Sequence, residues 1–224
     1  MGGNGLVIRS TDGGQTFTPS SPTTTTLNGV YFLDELEGWA VGNSGIAIHT
    51  TDGGDHWTQT TPGSLALNSV YFADANHGWM VGDSGKILRT INGGANWTTS
   101  TPTAANLYSV FALDNQLAWA VGKGVVLRTV NGGATWTSAS PSTQTLRGVF
   151  FVNDLLGFAV GTNGAVLKST NSGYSWTTTT PTTSDLYSTF FVNASTGWAV
   201  GEAGAILSTT NGGTSWTTQR AGSV

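Results

Sequence analysis

The chain is one cassette repeated from end to end. Anchored on the glycine pair of an Asp/Asn-Gly-Gly turn, the copies fall at Gly13, Gly53, Gly93, Gly132 and Gly212, with Ser172 in the glycine place once. Successive anchors are 40, 40, 39, 40 and 40 residues apart. A period this constant over 224 residues restricts the fold to a single supersecondary unit, stacked or closed into one array. Within each copy the order is Leu-x-x-Val-Tyr/Phe-Phe, then Gly-Trp-Ala-Val-Gly, then an aliphatic run ending in Thr or Ser, then the turn and Trp-Thr.

The copy over 67–102 shows what that unit is. Residues 67–72 (LNSVYF) are β-branched and aromatic, apolar on both alternating faces, and predict a strand. A polar turn over 74–77 leads to a second strand at 78–81, closed by Gly82-Asp83-Ser84-Gly85. Residues 87–90 make a third strand, Asn92-Gly93-Gly94 reverses it, and 97–101 make a fourth, ended by Pro102. Four short strands with tight turns form an antiparallel meander.

A lone sheet of this size buries too little to offset the entropy of ordering it, so neighbours must cover both faces. Radial stacking of four-stranded sheets is a β-propeller, whereas a horseshoe or parallel β-helix needs coils of roughly 20–29 residues. The expected fold is therefore all-β, a β-propeller of four-stranded antiparallel blades in a single domain over 1–224. Its expected parts are a half-blade over 1–22 and blades over 23–62, 63–102, 103–141, 142–181 and 182–221. The inner strand pair occurs five times and the outer pair six, the extra outer hairpin lying over 5–20. Either that hairpin displaces 204–218 from the last blade and closes a ring of five, or the chain is part of a larger ring. A bare strand over 6–10 would also be a pairing edge for self-association.

Only 9% of residues are charged and the net charge is −4, so there is no basic surface for a phosphate backbone and nucleic acid is not an expected partner. No apolar run approaches the ~20 residues of a membrane span. Cysteine is absent, which excludes disulfides and thiolate metal sites. Met1-Gly2 leads straight into a repeat, with no signal peptide in view. Few lysines among many threonines and asparagines suggest an extracytoplasmic protein: periplasmic, lumenal or secreted.

The turn itself occurs six times in register, over 10–17, 50–57, 90–97, 129–136, 169–176 and 209–216. It resembles the Asp-box, or bacterial neuraminidase repeat, in which an Asp or Asn side chain caps turn N–H groups and an aromatic a few positions on locks the hairpin to its sheet. Asn92, Asn131, Asn171 and Asn211 fill the acidic position in four copies, which a turn tolerates and a catalytic acid would not, so Asp12 and Asp52 read as structural. The whole cassette, Val-Tyr-Phe, Gly-Trp-Ala-Val-Gly, Gly-x-Ile-Leu-Arg-Thr and Asn-Gly-Gly-x-x-Trp, is similar to the photosystem II assembly/stability factor family and its non-photosynthetic bacterial relatives. That resemblance implies a non-enzymatic propeller, usually of seven blades, on the lumenal or outer side of a membrane, binding protein partners.

Function is sought where the cassette varies. The second position of strand one holds Asn28, Asn68, Tyr108, Arg147 and Tyr187, expected at the rim of a central channel and suited to contact with a peptide or sugar. The alternative is that these side chains fill the wedge between strands. Strand three ends in Arg9, His49, Arg89, Arg128 and Lys168, a basic band that would capture an acidic segment or, equally, tie blade to blade by stacking and hydrogen bonding. Asn43, Asp83, Lys123, Thr162 and Glu202, in the turn after strand two, read as solvated surface. The acidic run Asp34-Glu35-x-Glu37 lies in one loop without the partner carboxylate that glycoside hydrolysis needs. His49, His56 and His77 show no ligand spacing, so no metal or other cofactor is expected. The leading expectation is a non-catalytic binding scaffold for a protein or glycan partner. A sialidase-like glycoside hydrolase and an engineered repeat protein without a ligand are the alternatives.

Overall fold

The computed structural model describes residues 2–220, and its regular structure is short antiparallel strands joined by tight turns. Two compact units divide it. The first, up to Ala104, opens with a two-stranded hairpin, β1 (Val7–Arg9) and β2 (Thr18–Ser20). Two four-stranded blades follow: β3 (Leu27–Phe32), β4 (Gly38–Gly42), β5 (Ala47–Thr50) and β6 (Thr58–Thr60), then β7 (Leu67–Phe72), β8 (Gly78–Gly82), β9 (Ile87–Thr90) and β10 (Thr98–Ser100).

The second unit, from Ala105, holds three blades. They are β11 (Leu107–Ala112), β12 (Ala118–Gly122), β13 (Val125–Thr129) and β14 (Thr137–Ala139); β15 (Leu146–Phe151), β16 (Gly157–Gly161), β17 (Val166–Ser169) and β18 (Thr177–Thr179); and β19 (Leu186–Phe191), β20 (Gly197–Gly201), β21 (Ala205–Thr209) and β22 (Thr217–Arg220). Each sheet is a meander in chain order. The fourth strand is shorter than the sequence suggests because Trp97 and its equivalents belong to the turn, their rings laid against the sheet. No helix among the described residues is long and apolar enough to cross a membrane.

Strands two and three are joined by a tight turn with a left-handed residue at its centre, Ser44 at φ 55° and Ser84 at φ 54° in the first unit. Blade three makes the same connection with Lys123-Gly124 alone, and this single deletion produces the one 39-residue step.

Packing within each unit follows one rule: the aromatic of strand two slides over the strand-one Phe and the turn glycine of the next blade. Trp39 stacks on Phe72 at 5.3 Å and meets Trp97 edge-on at 5.8 Å. Trp119 stacks on Phe151 at 3.4 Å and donates its indole N–H to the Ser172 carbonyl at 3.0 Å. Phe158 stacks on Phe191 at 3.9 Å. A side chain on Gly94, Gly173 or Gly213 would run into the ring that covers it. Around these rings lie Val41, Leu67, Val70 and Leu88 in the first unit and Val121, Leu146, Val149 and Leu167 in the second, all buried. Faces of this breadth supply most of the hydrophobic stabilisation, at about 25 cal/mol per Å² of apolar surface removed from water.

Candidate functional site

Every first strand contains a β-bulge, and the five candidate residues of strand one are the bulged ones. In β3 the register passes from Leu27↔Gly42 directly to Gly29↔Val41, leaving Asn28 without a partner residue. The same skip in register falls at Asn68, Tyr108, Arg147 and Tyr187. A bulge re-aims a side chain out of the regular pleat. Periodicity marked this position as variable; the extra residue that sets its direction was not legible.

The two units use the bulge differently. In the first, Asn28 donates to the Leu67 carbonyl of the next blade and to Asn43 Oδ1, both at 3.0 Å, while Asn68 donates to Asp83 Oδ1 at 3.2 Å. Asn43 and Asp83 are thus engaged with the bulge residues rather than merely solvated. In the second unit the position becomes a cation–π stack. The Arg147 guanidinium lies 5.7 Å from the centre of the Tyr108 ring and 5.5 Å from that of Tyr187. Its buried Nε has no hydrogen-bond partner among the described residues, and Tyr187 is exposed. Next to this position, Gln144 Oε1 accepts hydrogen bonds from Thr162 Oγ1 at 3.0 Å and Asn163 Nδ2 at 2.7 Å, and Asp185 accepts the Asn163 N–H at 2.9 Å.

One strand pleat further along, aromatic rings contact each other from blade to blade. Tyr31 meets Tyr71 at 4.5 Å, Phe111 meets Phe150 at 5.0 Å, and Phe150 meets Phe190 at 5.2 Å. Burial raises the Tyr71 hydroxyl pKa, and the neighbouring Tyr31 adds to the shift; burial raises Tyr31 as well.

Two of the basic positions at the end of strand three, Arg9 and Arg128, reach across to the turn of the following blade. Arg9 pairs with Asp55. Arg128 donates from Nε and Nη2 to Ser172 Oγ at 3.2 and 3.0 Å, and its guanidinium covers the Tyr174 ring at 4.3 Å. His49 instead stacks on Trp39 at 4.0 Å, with Glu37 Oε1 3.4 Å from its Nε2. Arg89 and Lys168 occupy the same strand-three position in β9 and β17. The contacts of Arg9 and Arg128 therefore run between blades, and Ser172 owes its place in a glycine position to its hydroxyl as well as its left-handed backbone, φ 64°.

The repeated turn is closed by two side chains. Thr50 Oγ1 accepts the Asp52 and Gly54 N–H groups at 3.3 and 2.9 Å, and Asp52 Oδ1 accepts the His56 N–H at 2.9 Å. Asn131 repeats the second contact with the Thr135 N–H and uses its amide to donate to Thr135 Oγ1. The hydrogen bonds hold Asp12 and Asp52 well below the usual carboxylate range: those from Thr16 dominate at Asp12, and the His56 N–H at Asp52. The role of the leading Ser or Thr escaped the sequence reading. In the acidic loop, Asp34 Oδ1 accepts the Leu36 and Glu37 N–H groups, both at 2.8 Å, and so builds the turn.

Five four-stranded antiparallel meanders, packed aromatic over glycine, define a β-propeller protein. The family model described as "Photosynthesis system II assembly factor YCF48" matches residues 61–148 and 139–222. The chain belongs to that family. Among solved structures it resembles "YCF48 bound to D1 peptide", with a TM-score of 0.75 and 24% identity over 97% of this chain and 75% of that one. It also resembles YCF48 from Cyanidioschyzon merolae, with a TM-score of 0.73 and 21% identity over 97% and 79%. An ancestral GH74 enzyme shares the fold at TM-score 0.76 and 14% identity, over 97% of this chain and 36% of that one. At these identities the solved structures establish the fold alone. No curated protein sequence matches the chain.

Proposed function

We propose that this chain is a non-catalytic propeller that holds an extended polypeptide segment at the bulge residues of its second unit, with Arg147 taking a carboxylate of that segment. The observation that carries this is the Tyr108–Arg147–Tyr187 cluster, in which the guanidinium lies within cation–π distance of both rings and its buried Nε has no acceptor among the described residues. A stacked guanidinium is pre-organised for bidentate carboxylate binding, and flanking tyrosines add contact area at low entropic cost. A family relative is known with a D1 peptide bound, which favours a polypeptide over a glycan. The non-catalytic reading is supported by Asp12 and Asp52, whose carboxylates are spent on turn N–H groups and replaced by Asn in the other four turns. An extracytoplasmic site of action fits the composition and the family.

The test is fluorescence anisotropy with a library of short acidic peptides, free or amidated at the C-terminus, alongside fluorogenic glycosides and a glycan array. The expected result is peptide binding that falls at least tenfold in Arg147→Ala and in Tyr108→Ala and Tyr187→Ala, with no glycoside turnover. Unchanged binding in all three variants, glycan capture without peptide capture, or turnover would contradict the proposal.

A further inference from the structure

The one break in the repeat falls beside the Arg147 cluster. Other blades turn from strand two to strand three through a left-handed residue such as Ser84 or Asn163, but blade three has Lys123-Gly124 alone. The shortened turn pairs with the linker to blade four: Lys123 bridges Thr145, and the Gly124 N–H donates to the Gln144 carbonyl at 3.1 Å. From there a run of contacts crosses blade four. Gln144 Oε1 accepts from Thr162 Oγ1 and Asn163 Nδ2, and the Asn163 N–H donates to Asp185 Oδ1, just ahead of blade five.

The result is a shelf with a cation at one end, two amides in the middle and a carboxylate at the other end. Lys123 is exposed and Asp185 half-buried, and neither has an ion-pair partner among the described residues. The Gln144 amide donors and the Asn163 Oδ1 have no hydrogen-bond partner among the described residues either. Arg147 stands three residues after Gln144 and Tyr187 two after Asp185, so shelf and cluster run side by side.

We infer that this shelf sets the polarity of the bound polypeptide, an inference that rests on the reading of the bulge residues as a polypeptide site. The segment's carboxylate lies toward Lys123 and Arg147, its backbone on the Gln144 and Asn163 amides, and a Lys or Arg side chain of the segment on Asp185. A free donor beside a free acceptor matches one peptide unit. Opposite charges at the two ends select one direction of the chain and reject the reverse, which is specificity more than affinity. Packed sheets stand about 10 Å apart and an extended chain advances about 3.3 Å per residue, so carboxylate and cation are about three residues apart.

The probes are labelled, end-capped peptides of Gly and Ser carrying one Glu, alone or with one Lys about three residues to its N-terminal or C-terminal side. A further peptide has a second Glu in the Lys place. Binding to the whole protein is followed by anisotropy at about 20 mM salt, where exposed charges are little screened. The expected result is that one Glu–Lys order binds about fivefold more tightly than the reverse order and than Glu alone. Asp185→Asn, which keeps an acceptor for the Asn163 N–H, removes that preference, and Asp185→Lys transfers it to the peptide with two Glu. Lys123→Ala weakens every Glu peptide. Circular dichroism melting confirms that these variants are folded. Arg147→Ala abolishes binding of all the peptides and so tests the underlying reading by itself. Arg147-dependent binding with equal affinity for the two orders, or a preference that survives Asp185→Asn, overturns the inference and leaves that reading standing. Absence of binding by every peptide overturns both.

Discussion

Ala112 and Ala118 face each other across the first two strands of blade three, where every other blade places Phe opposite Gly. In those blades the ring lies on the glycine: a Cβ on Gly78 would fall 2.6 Å from the Phe72 ring, and Gly38 stands in the same relation to Phe32. The two positions change together because one occupies the volume the other vacates.

Gly78→Ala on its own therefore overpacks the site and lowers stability by about 1–3 kcal/mol. In a Phe72→Ala background the same change costs almost nothing, because the ring it collides with is gone. Urea denaturation of the four proteins measures the coupling directly, and additive effects would mean the ring and the glycine do not compete for space.

The acid limb of the stability profile is set in part by Asp12 and Asp52. Their folded pKa values lie below the ordinary value near 3.8, so their contribution is complete above that value and is lost as pH falls through the folded ones. The double variant Asp12→Asn/Asp52→Asn keeps the turn acceptors, as Asn92 and Asn131 do, and removes the titration. Its melting temperature should fall less steeply below about pH 4 than that of the parent. Some acid sensitivity will persist through Asp34, whose carboxylate is also held low by turn N–H groups.

The alkaline limb belongs to Tyr31 and Tyr71. Their pKa values are raised, so the folded state carries its full stability below the unfolded tyrosine value of about 10 and loses it as pH climbs through the folded values. Tyrosinate absorbance should show a late-titrating component that shrinks in Tyr71→Phe, leaving the part that burial gives Tyr31. A titration curve identical in the two proteins would dissociate the shift from this pair.

Strands, turns and blade order were legible because they are local: period-two apolar runs and Gly-Gly turns recur in every copy. Contacts joining one copy to the next were not. Nothing in the sequence shows that Arg128 ends on Ser172, 44 residues on, or that Asn28 reaches the Leu67 carbonyl, because a period gives the unit and leaves the register between units open. The bulge was hidden for a related reason. One extra residue in a six-residue strand leaves the hydrophobic pattern almost unchanged while redirecting Tyr108, Arg147 and Tyr187.

The claim on which the rest stands is that, within each unit, the strand-two ring of one blade seals the next. Urea unfolding of Trp119→Ala and Trp198→Ala tests it most directly. Trp119 is fully buried against Phe151, and Trp198, at the equivalent position of the last blade, is only half-buried. The account predicts a loss of about 3–5 kcal/mol for Trp119→Ala and less than half of that for Trp198→Ala. Equal losses, or a negligible one at Trp119, would contradict it.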